Sequence, residues 1–247
     1  MRLLGIIPSR YHSTRFPGKP LAMIDGRTMI FRVYERASKA RSLSKLIVAT
    51  DDERILHVVK SFGGEAVMTS PKHRNGTERC AEALSLAIGD FDCVINIQGD
   101  EPFIQPEQID LVADCLKEGA EIATLVRRIE NPEEYKSESV VKVAVGKNSE
   151  ALYFSRSPLP FVNKNITKKL LKENIFYKHT GIYGYTASVL QSIANLAPAP
   201  LEQLESLEQL RWLENGFKIR VKETHFETQA VDTAEDIEKI LRTRTSV

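Results

Sequence analysis

The sequence predicts an α/β fold, a mostly parallel sheet flanked by helices, with a smaller subdomain inserted in its second half. Three observations carry this. Apolar runs of strand length alternate with amphipathic stretches of helical length through the first half. After Glu121 short apolar runs follow one another without a long helix between them. A polar, cationic loop follows the first apolar run, at the strand end where open α/β sheets bind ligands.

Strands are expected over residues 3–7, 45–49, 65–69 and 93–97, and helices near 28–40, 53–62, 76–88 and 106–117. The strand–helix rhythm with short connections makes each strand parallel to its neighbour and puts helices on both faces of the sheet. Residues 122–127, 140–145 and 151–154 then read as strands in quick succession, an inserted or antiparallel portion. Residues 157–177 are loop-like and Lys-rich, without a hydrophobic period, and are expected to form a mobile or partner-covered excursion.

Leu201, Leu204, Leu207, Leu210 and Leu213 mark a helix that stops at Asn215 and Gly216. Residues 218–222 read as one more strand and 233–242 as a final helix, with Thr233 and Asp236 at near capping-box spacing. Without repeats or a low-complexity linker, the chain reads as a single domain over residues 1–247, with the inserted portion at about 140–186.

Composition narrows the function. The chain has 247 residues, 42% hydrophobic and 27% charged, and lacks the roughly 18 to 20 consecutive apolar residues of a membrane span. Its first apolar run, 3–7, is shorter than the ~7 to 15 residue core of a signal peptide, so a soluble, cytoplasmic protein is expected. Lys and Arg number 34 against 33 Asp and Glu, a balance that argues against nucleic acid as partner. Cys80, Cys93 and Cys115 are widely spaced with no C-x-x-C pair and read as reduced, buried thiols.

The loop SRYHSTRFPGKPL strings Arg10, Arg15 and Lys19 around a Pro-Gly-Lys-Pro turn. Guanidinium and ammonium groups donate charge-assisted bonds to phosphate oxygens, so the loop suits a nucleoside triphosphate; the alternative is a set of solvated loop charges. It is neither a Walker A motif nor a G-x-G-x-x-G fingerprint, which disfavours hydride transfer. Asp100, in QGDEP after the strand ending at Ile97, is placed to offer a hard oxygen to a divalent ion, or else stabilises a Gly-Asp turn. Asp232, in AVDTAED, is a second candidate ligand or a helix-favouring acid, while Asp51 and Asp52 read as a helix cap. The turn His73, Arg74, Asn75, Gly76, Thr77, Glu78, Arg79 enters a helix whose free N–H groups could receive an anion or a base edge.

In the second half, Arg156 follows ALYFS, and His179 opens HTGIYGY with Tyr183 and Tyr185. An Arg, a His and phenols on one sheet suit a carboxylate-bearing sugar, with packing and capping as the alternatives. Glu208 on the Leu-rich helix could bind sugar hydroxyls or pair with Arg211.

Taken together, IIPSRYHSTRFPGKPL, VATDD, NGTERCAE, NIQGDEP, VKVAV, ALYFSRSPLP, HTGIYGY, LEQLR and VDTAEDI closely resemble the 3-deoxy-manno-octulosonate cytidylyltransferase (CMP-Kdo synthetase) family, in order and over nearly the whole chain. The resemblance implies a Rossmann-like fold of the nucleotide-diphospho-sugar transferase type. It also implies transfer of a cytidylyl group from CTP to the anomeric hydroxyl of 3-deoxy-D-manno-octulosonate (Kdo) for lipopolysaccharide synthesis, with Mg²⁺ as cofactor and a homodimer as the assembly.

By position, Arg10, Arg15 and Lys19 would bind the triphosphate, Asp100 and Asp232 would hold Mg²⁺, and the catalytic residues would be Arg10, Lys19 and Asp100. His73, Asn75, Gly76, Arg79 and Gln98 would lie near cytosine and ribose. Arg156, His179, Tyr183, Glu208 and Gln209 would line the sugar site. Asn75 stands where Ser is common in such proteins, Ala230 where Gly is frequent and Ala234 where Pro is frequent. The competing readings are a cytidylyltransferase for another sugar acid and a non-catalytic nucleotide-binding protein.

Overall fold

The computed structural model describes the chain except for residues 14, 164, 174, 228–229 and 246–247, and except for the side chains of residues 240 and 242–245. The chain forms two compact units, Met1–Asp110 with Glu227–Val247, and Leu111–Phe226.

In the first unit, β1 (Leu3–Ser9) leads through a 3-10 turn (Lys19–Leu21) to a small hairpin of β2 (Met23–Ile24) and β3 (Arg27–Thr28), then to α1 (Met29–Ala37), β4 (Lys45–Thr50), α2 (Glu53–Ser61), β5 (Ala66–Met68), α3 (Gly76–Leu86) and β6 (Cys93–Asn96). The strands pair in parallel in the order β6-β1-β4-β5, with Leu4 opposite Lys45 and Leu3 opposite Cys93. Leu4, Ile6, Ile7 and Val48 are fully buried, as expected where a parallel sheet is covered on both faces. Side chains close the helix starts: Thr28 accepts from the N–H of Phe31, Asp52 from Arg54 and Asn75 from Glu78.

The β2–β3 hairpin was not among the expected elements. Its turn is Asp25-Gly26, both at positive φ, the two-residue chemistry that matches strand twist.

The boundary between the units falls inside α4 (Pro106–Lys117). The second unit continues with β7 (Ile122–Arg128), α5 (Pro132–Lys136), β8 (Lys142–Val145), β9 (Ala151–Ser155), α6 (Lys168–Glu173), β10 (Tyr177–Thr186), α7 (Ala187–Ala194), α8 (Pro200–Glu205), α9 (Gln209–Glu214) and β11 (Ile219–Glu223). Here β11 runs parallel to β7 while β10 runs antiparallel to it, and β8 and β9 add antiparallel pairs. The change of rhythm after Glu121 is therefore a change to largely antiparallel pairing. The chain ends with α10 (Ala234–Thr245) in the first unit, where Val231 and Ile237 pack with Ile24, Met29 and Phe103.

Two expectations need correction. The Leu-rich stretch is two short helices, α8 and α9, broken at Ser206, whose φ is 54°. A strict three-residue repeat rotates around a helix of about 3.6 residues per turn, so it cannot stay on one face; Leu207 and Leu210 are buried while Leu204 is 82% exposed. Nor is the segment 157–177 merely an excursion. Leu171 on α6 and Phe176 are buried with Ile129 and Tyr135 in a cluster that Val162 and Ile166 cover, although residues 164 and 174 lie outside the described part.

The three cysteines are buried free thiols, as expected, and burial pushes the Cys93 thiol up to about 11. Among the described residues no helix is long and apolar enough to cross a membrane.

Candidate functional site

In the first unit, the carboxyl end of β1 opens into a cavity of about 240 Å³. Its lining includes Arg10, Arg15, Lys19, His73, Asn75, Gly76, Arg79, Gln98, Asp100 and Asp232, so every residue expected to serve the nucleotide or its metal faces one space. The lining also includes Ser9, Ser13, Arg74 and Gly99. Among the described residues the Arg10 side chain makes no hydrogen bond or ion pair and is exposed, which leaves its guanidinium for a ligand.

Three sequence-distant segments meet at Lys19. Its ammonium, 16% exposed, donates to Asp100 Oδ2 at 2.7 Å and to the Val231 carbonyl at 2.9 Å, and lies 3.6 Å from Asp232 Oδ1. Backbone bonding holds the acids in place, since Val231 N–H donates to the Asp100 carbonyl at 2.9 Å. Arg15 adds a bond to Asp232 at 3.0 Å. Gly99 lets this edge approach β1 closely: a Cβ there would lie 2.8 Å from the Pro8 carbonyl oxygen, closer than Cβ atoms come.

Asp232 also sits at the α10 start. Asp236 accepts from the N–H groups of Asp232 and Thr233 at 3.0 and 2.9 Å, the acidic half of the capping box. The Asp232 carboxylate is thereby left to face the cations.

Around α3, Asn75 spends its side-chain oxygen on the helix cap, at 2.9 Å from Glu78 N–H. His73 bonds Glu82 through Nε2, and Glu82 also accepts from Ser70 N–H at 2.8 Å. Burial raises the Glu82 carboxyl, but these bonds outweigh it and hold it below its ordinary value. Arg79 is 3% exposed; it donates to Thr69 Oγ1 at 2.6 Å and Asp51 Oδ2 at 2.8 Å. Asp51 is thus a buried counter-ion, and only Asp52 caps α2. Gln98 Nε2 reaches Asn96 Oδ1 at 3.5 Å.

The donor set suits a hard cation. Asp100 and Asp232 already share one ammonium, so the chain stabilises positive charge between two carboxylates, and Mg²⁺ takes one or two protein carboxylates and completes its shell with water and phosphate. Among the described residues no group of three or more His, Cys, Asp and Glu forms an all-protein metal cage.

The residues expected at the sugar lie in the second unit. The His179 and Tyr183 rings are 5.2 Å apart, and Tyr183 meets Trp212 edge-on at 5.0 Å. Thr124 Oγ1 lies 2.9 Å from His179 Nε2, and burial pushes the imidazole down to about 3, which keeps it neutral near pH 7. Burial, with the neighbouring Tyr185 and Glu208, pushes the Tyr183 phenol well above its ordinary value. Tyr183 and Gln209 are buried at 7% and 5% exposure, whereas Arg156, His179 and Glu208 are half-buried. Glu208 pairs with Arg211 at 3.3 Å. Arg156 is tied to the α8–α9 junction through the carbonyls of Glu205 and Ser206.

Sequence reasoning missed Thr124, Lys142 and Glu205. One signal was available: a lysine in the apolar strand VVKVAV, at a position that proves fully buried.

A protein-family model described as Cytidylyltransferase matches residues 4–223. The chain is 50% identical over 246 residues to a protein of Parabacteroides distasonis named 3-deoxy-manno-octulosonate cytidylyltransferase, covering 98% of this chain and 97% of that one. A protein of the same name from Thermodesulfovibrio yellowstonii is 49% identical over 245 residues, with 96% of each covered. Among solved structures, a CMP:2-keto-3-deoxy-manno-octonic acid synthetase complexed with CTP superposes with a TM-score of 0.91 at 38% identity, covering 100% of this chain and 99% of that one.

Proposed function

Because the chain belongs to the 3-deoxy-manno-octulosonate cytidylyltransferase family, we propose that it joins CTP to Kdo, giving CMP-Kdo and diphosphate for lipopolysaccharide synthesis. The observation that carries the nucleotide half is the single cavity in which Arg10, Arg15 and Lys19 face Asp100 and Asp232.

In this reading the anomeric hydroxyl attacks the α-phosphorus in line. The new O–P bond forms as the bond to the bridging α–β oxygen breaks; diphosphate leaves with that electron pair, and the hydroxyl proton is released to water. Arg10, Arg15 and Lys19 hold the triphosphate oxygens and stabilise the charge that moves onto the leaving group. The α3 start with Asn75 and Gly76, together with His73, Arg79 and Gln98, faces the base and ribose, and the buried Arg79–Asp51 pair fixes this wall. No covalent nucleophile is used; positioning of two bound substrates supplies much of the rate. Asp100 and Asp232 are the residues that would hold Mg²⁺, which when bound would neutralise and orient phosphate oxygens.

Arg156 takes the sugar carboxylate, and His179, Tyr183, Glu208 and Gln209 shape the rest of that site. The neutral imidazole of His179 serves as a hydrogen-bonding group rather than a charge. A cytoplasmic location follows from CTP as co-substrate. Assembly as a homodimer through the region 140–186 is supported by the exposure of Leu152, Phe161 and Ile175, at 65%, 85% and 54%.

The test is diphosphate release by purified protein with Mg²⁺, offering CTP, ATP, GTP or UTP against Kdo or N-acetylneuraminate. Release with CTP and Kdo alone is expected. Release with N-acetylneuraminate would keep the nucleotide half and overturn the sugar assignment, and CTP binding without release on either acid would favour a nucleotide-binding protein.

A further inference from the structure

We propose that Lys142 and Glu205 are positioning residues that set the guanidinium of Arg156 for the carboxylate of the sugar acid. The proposal rests on the reading that Arg156 receives that carboxylate.

Lys142 is fully buried on β8, opposite Ser155 of β9. An ammonium has three N–H donors, and here all three go to backbone carbonyls: Ser137 at 2.7 Å, Val140 at 2.6 Å, and Arg156. With its donors saturated it offers nothing to a substrate, and burial holds it below the ordinary lysine range. A buried charge is costly, and methionine would fill the same length of strand without that cost. What the charge does here is order the turn 137–140 and the main chain of Arg156.

Glu205 grips the same residue from α8. Its carboxylate accepts from Ser155 Oγ at 2.6 Å and from the Arg156 N–H at 2.9 Å. The main-chain N–H and carbonyl of Arg156 are therefore held by Glu205 and Lys142 respectively.

The guanidinium is oriented by the parts these two residues fix. Nε donates to the Glu205 carbonyl at 2.9 Å, Nη1 to the Glu138 carbonyl at 3.2 Å, and Nη2 reaches the Ser206 carbonyl at 3.5 Å. Glu138 lies within the turn whose Ser137 and Val140 carbonyls Lys142 holds. Three of the five N–H donors of a guanidinium are used, which leaves one on each Nη, the number a carboxylate accepts in a bidentate pair.

The experiment compares Lys142→Met, Glu205→Ala, Glu205→Gln, Arg156→Ala and the Lys142→Met/Arg156→Ala double variant, reading KM for each substrate, kcat and melting temperature. For Lys142→Met and Glu205→Ala the KM for Kdo is expected to rise about tenfold or more while that for CTP stays within about twofold. Glu205→Gln, which keeps one side-chain acceptor, should restore part of the loss. In the Arg156→Ala background, Lys142→Met should add less than about twofold, because its effect passes through the missing guanidinium.

A fall in melting temperature with both KM values unchanged, or a full multiplicative effect in the Arg156→Ala background, would overturn the proposal. If Arg156→Ala itself leaves the KM for Kdo unchanged, the carboxylate assignment falls and the proposal with it. Should Lys142→Met fail to fold, Glu205→Ala with and without Arg156→Ala decides by the same criterion.

Discussion

The ammonium of Lys19 is bonded to the carboxylate of Asp100 at 2.7 Å, although the sequence assigns the first to a phosphate and the second to a metal ion. Before either ligand arrives, each serves as the other's counter-ion. Asp100→Asn keeps the shape of the side chain and removes its charge. Turnover is expected to fall by about 10²- to 10³-fold, the size seen when one group stabilising transition-state charge is lost. The circular dichroism spectrum should not change, and near-normal turnover would remove Asp100 from the chemistry.

The same ammonium lies 3.6 Å from Asp232, so it neutralises the pair that would hold a divalent ion. In nucleotide-free protein, Lys19→Met should bind Mn²⁺ up to about tenfold more tightly than the parent, because a competing cation a few ångströms away is gone. Paramagnetic resonance titration reads the free metal directly. Unchanged or weaker binding would argue against this carboxylate pair as the cation site.

Arg79 and Asp51 make a buried ion pair at 2.8 Å, with side chains only 4% and 9% exposed. Asp51→Ala strands a buried guanidinium with Thr69 as its remaining side-chain partner in the described structure. The loss expected in urea denaturation is about 3 to 5 kcal/mol, the usual cost of breaking such a pair from one side. A loss below about 1 kcal/mol, typical of exposed pairs, would show that water reaches the site.

The parallel half of the fold was legible because its strands are short, nearly continuous apolar runs, such as LLGII and KLIVAT, separated by helices with Thr28, Asp52 and Asn75 at their caps. The Asp25-Gly26 turn was equally readable, but its strands are two residues each, too short for any period to register. Leu201 to Leu213 misled because spacing by three imitates a helix face locally and drifts off it globally, so the break at Ser206 left no mark in the pattern. The residues expected at the nucleotide stood out because several cations and carboxylates lie in short polar segments after strands, and the structure brings them to one cavity. Lys142 and Glu205 act through backbone carbonyls and N–H groups, and such partners have no signature in side-chain identity.

Gly99 explains itself by distance. A methyl group at this position would press on the Pro8 carbonyl oxygen at 2.8 Å, and backbone cannot swing aside as a side chain can. Gly99→Ala is therefore expected to move the QGDEP edge away from β1 and carry Asp100 with it. We expect a destabilisation of about 1 to 3 kcal/mol in urea denaturation and a kcat reduced by at least about tenfold. Wild-type stability and turnover together would mean that the edge accommodates the methyl group without cost.

His179 ties the stability of the second unit to pH. Its imidazole, half-buried against the Thr124 hydroxyl and the rings of Phe154 and Tyr183, titrates at about 3 in the folded chain, against 6.5 for an ordinary histidine. Between those values the unfolded chain binds one more proton at this position than the folded chain does. The contribution is thus fully present above 6.5 and is lost as the pH falls toward 3. In urea denaturation between about pH 7 and 5, the parent should lose up to about 1.4 kcal/mol for each pH unit below the ordinary histidine value on account of this group alone. His179→Gln has no such proton to take up and should show the shallower slope; identical slopes for the two proteins would mean that the imidazole is charged in the folded state.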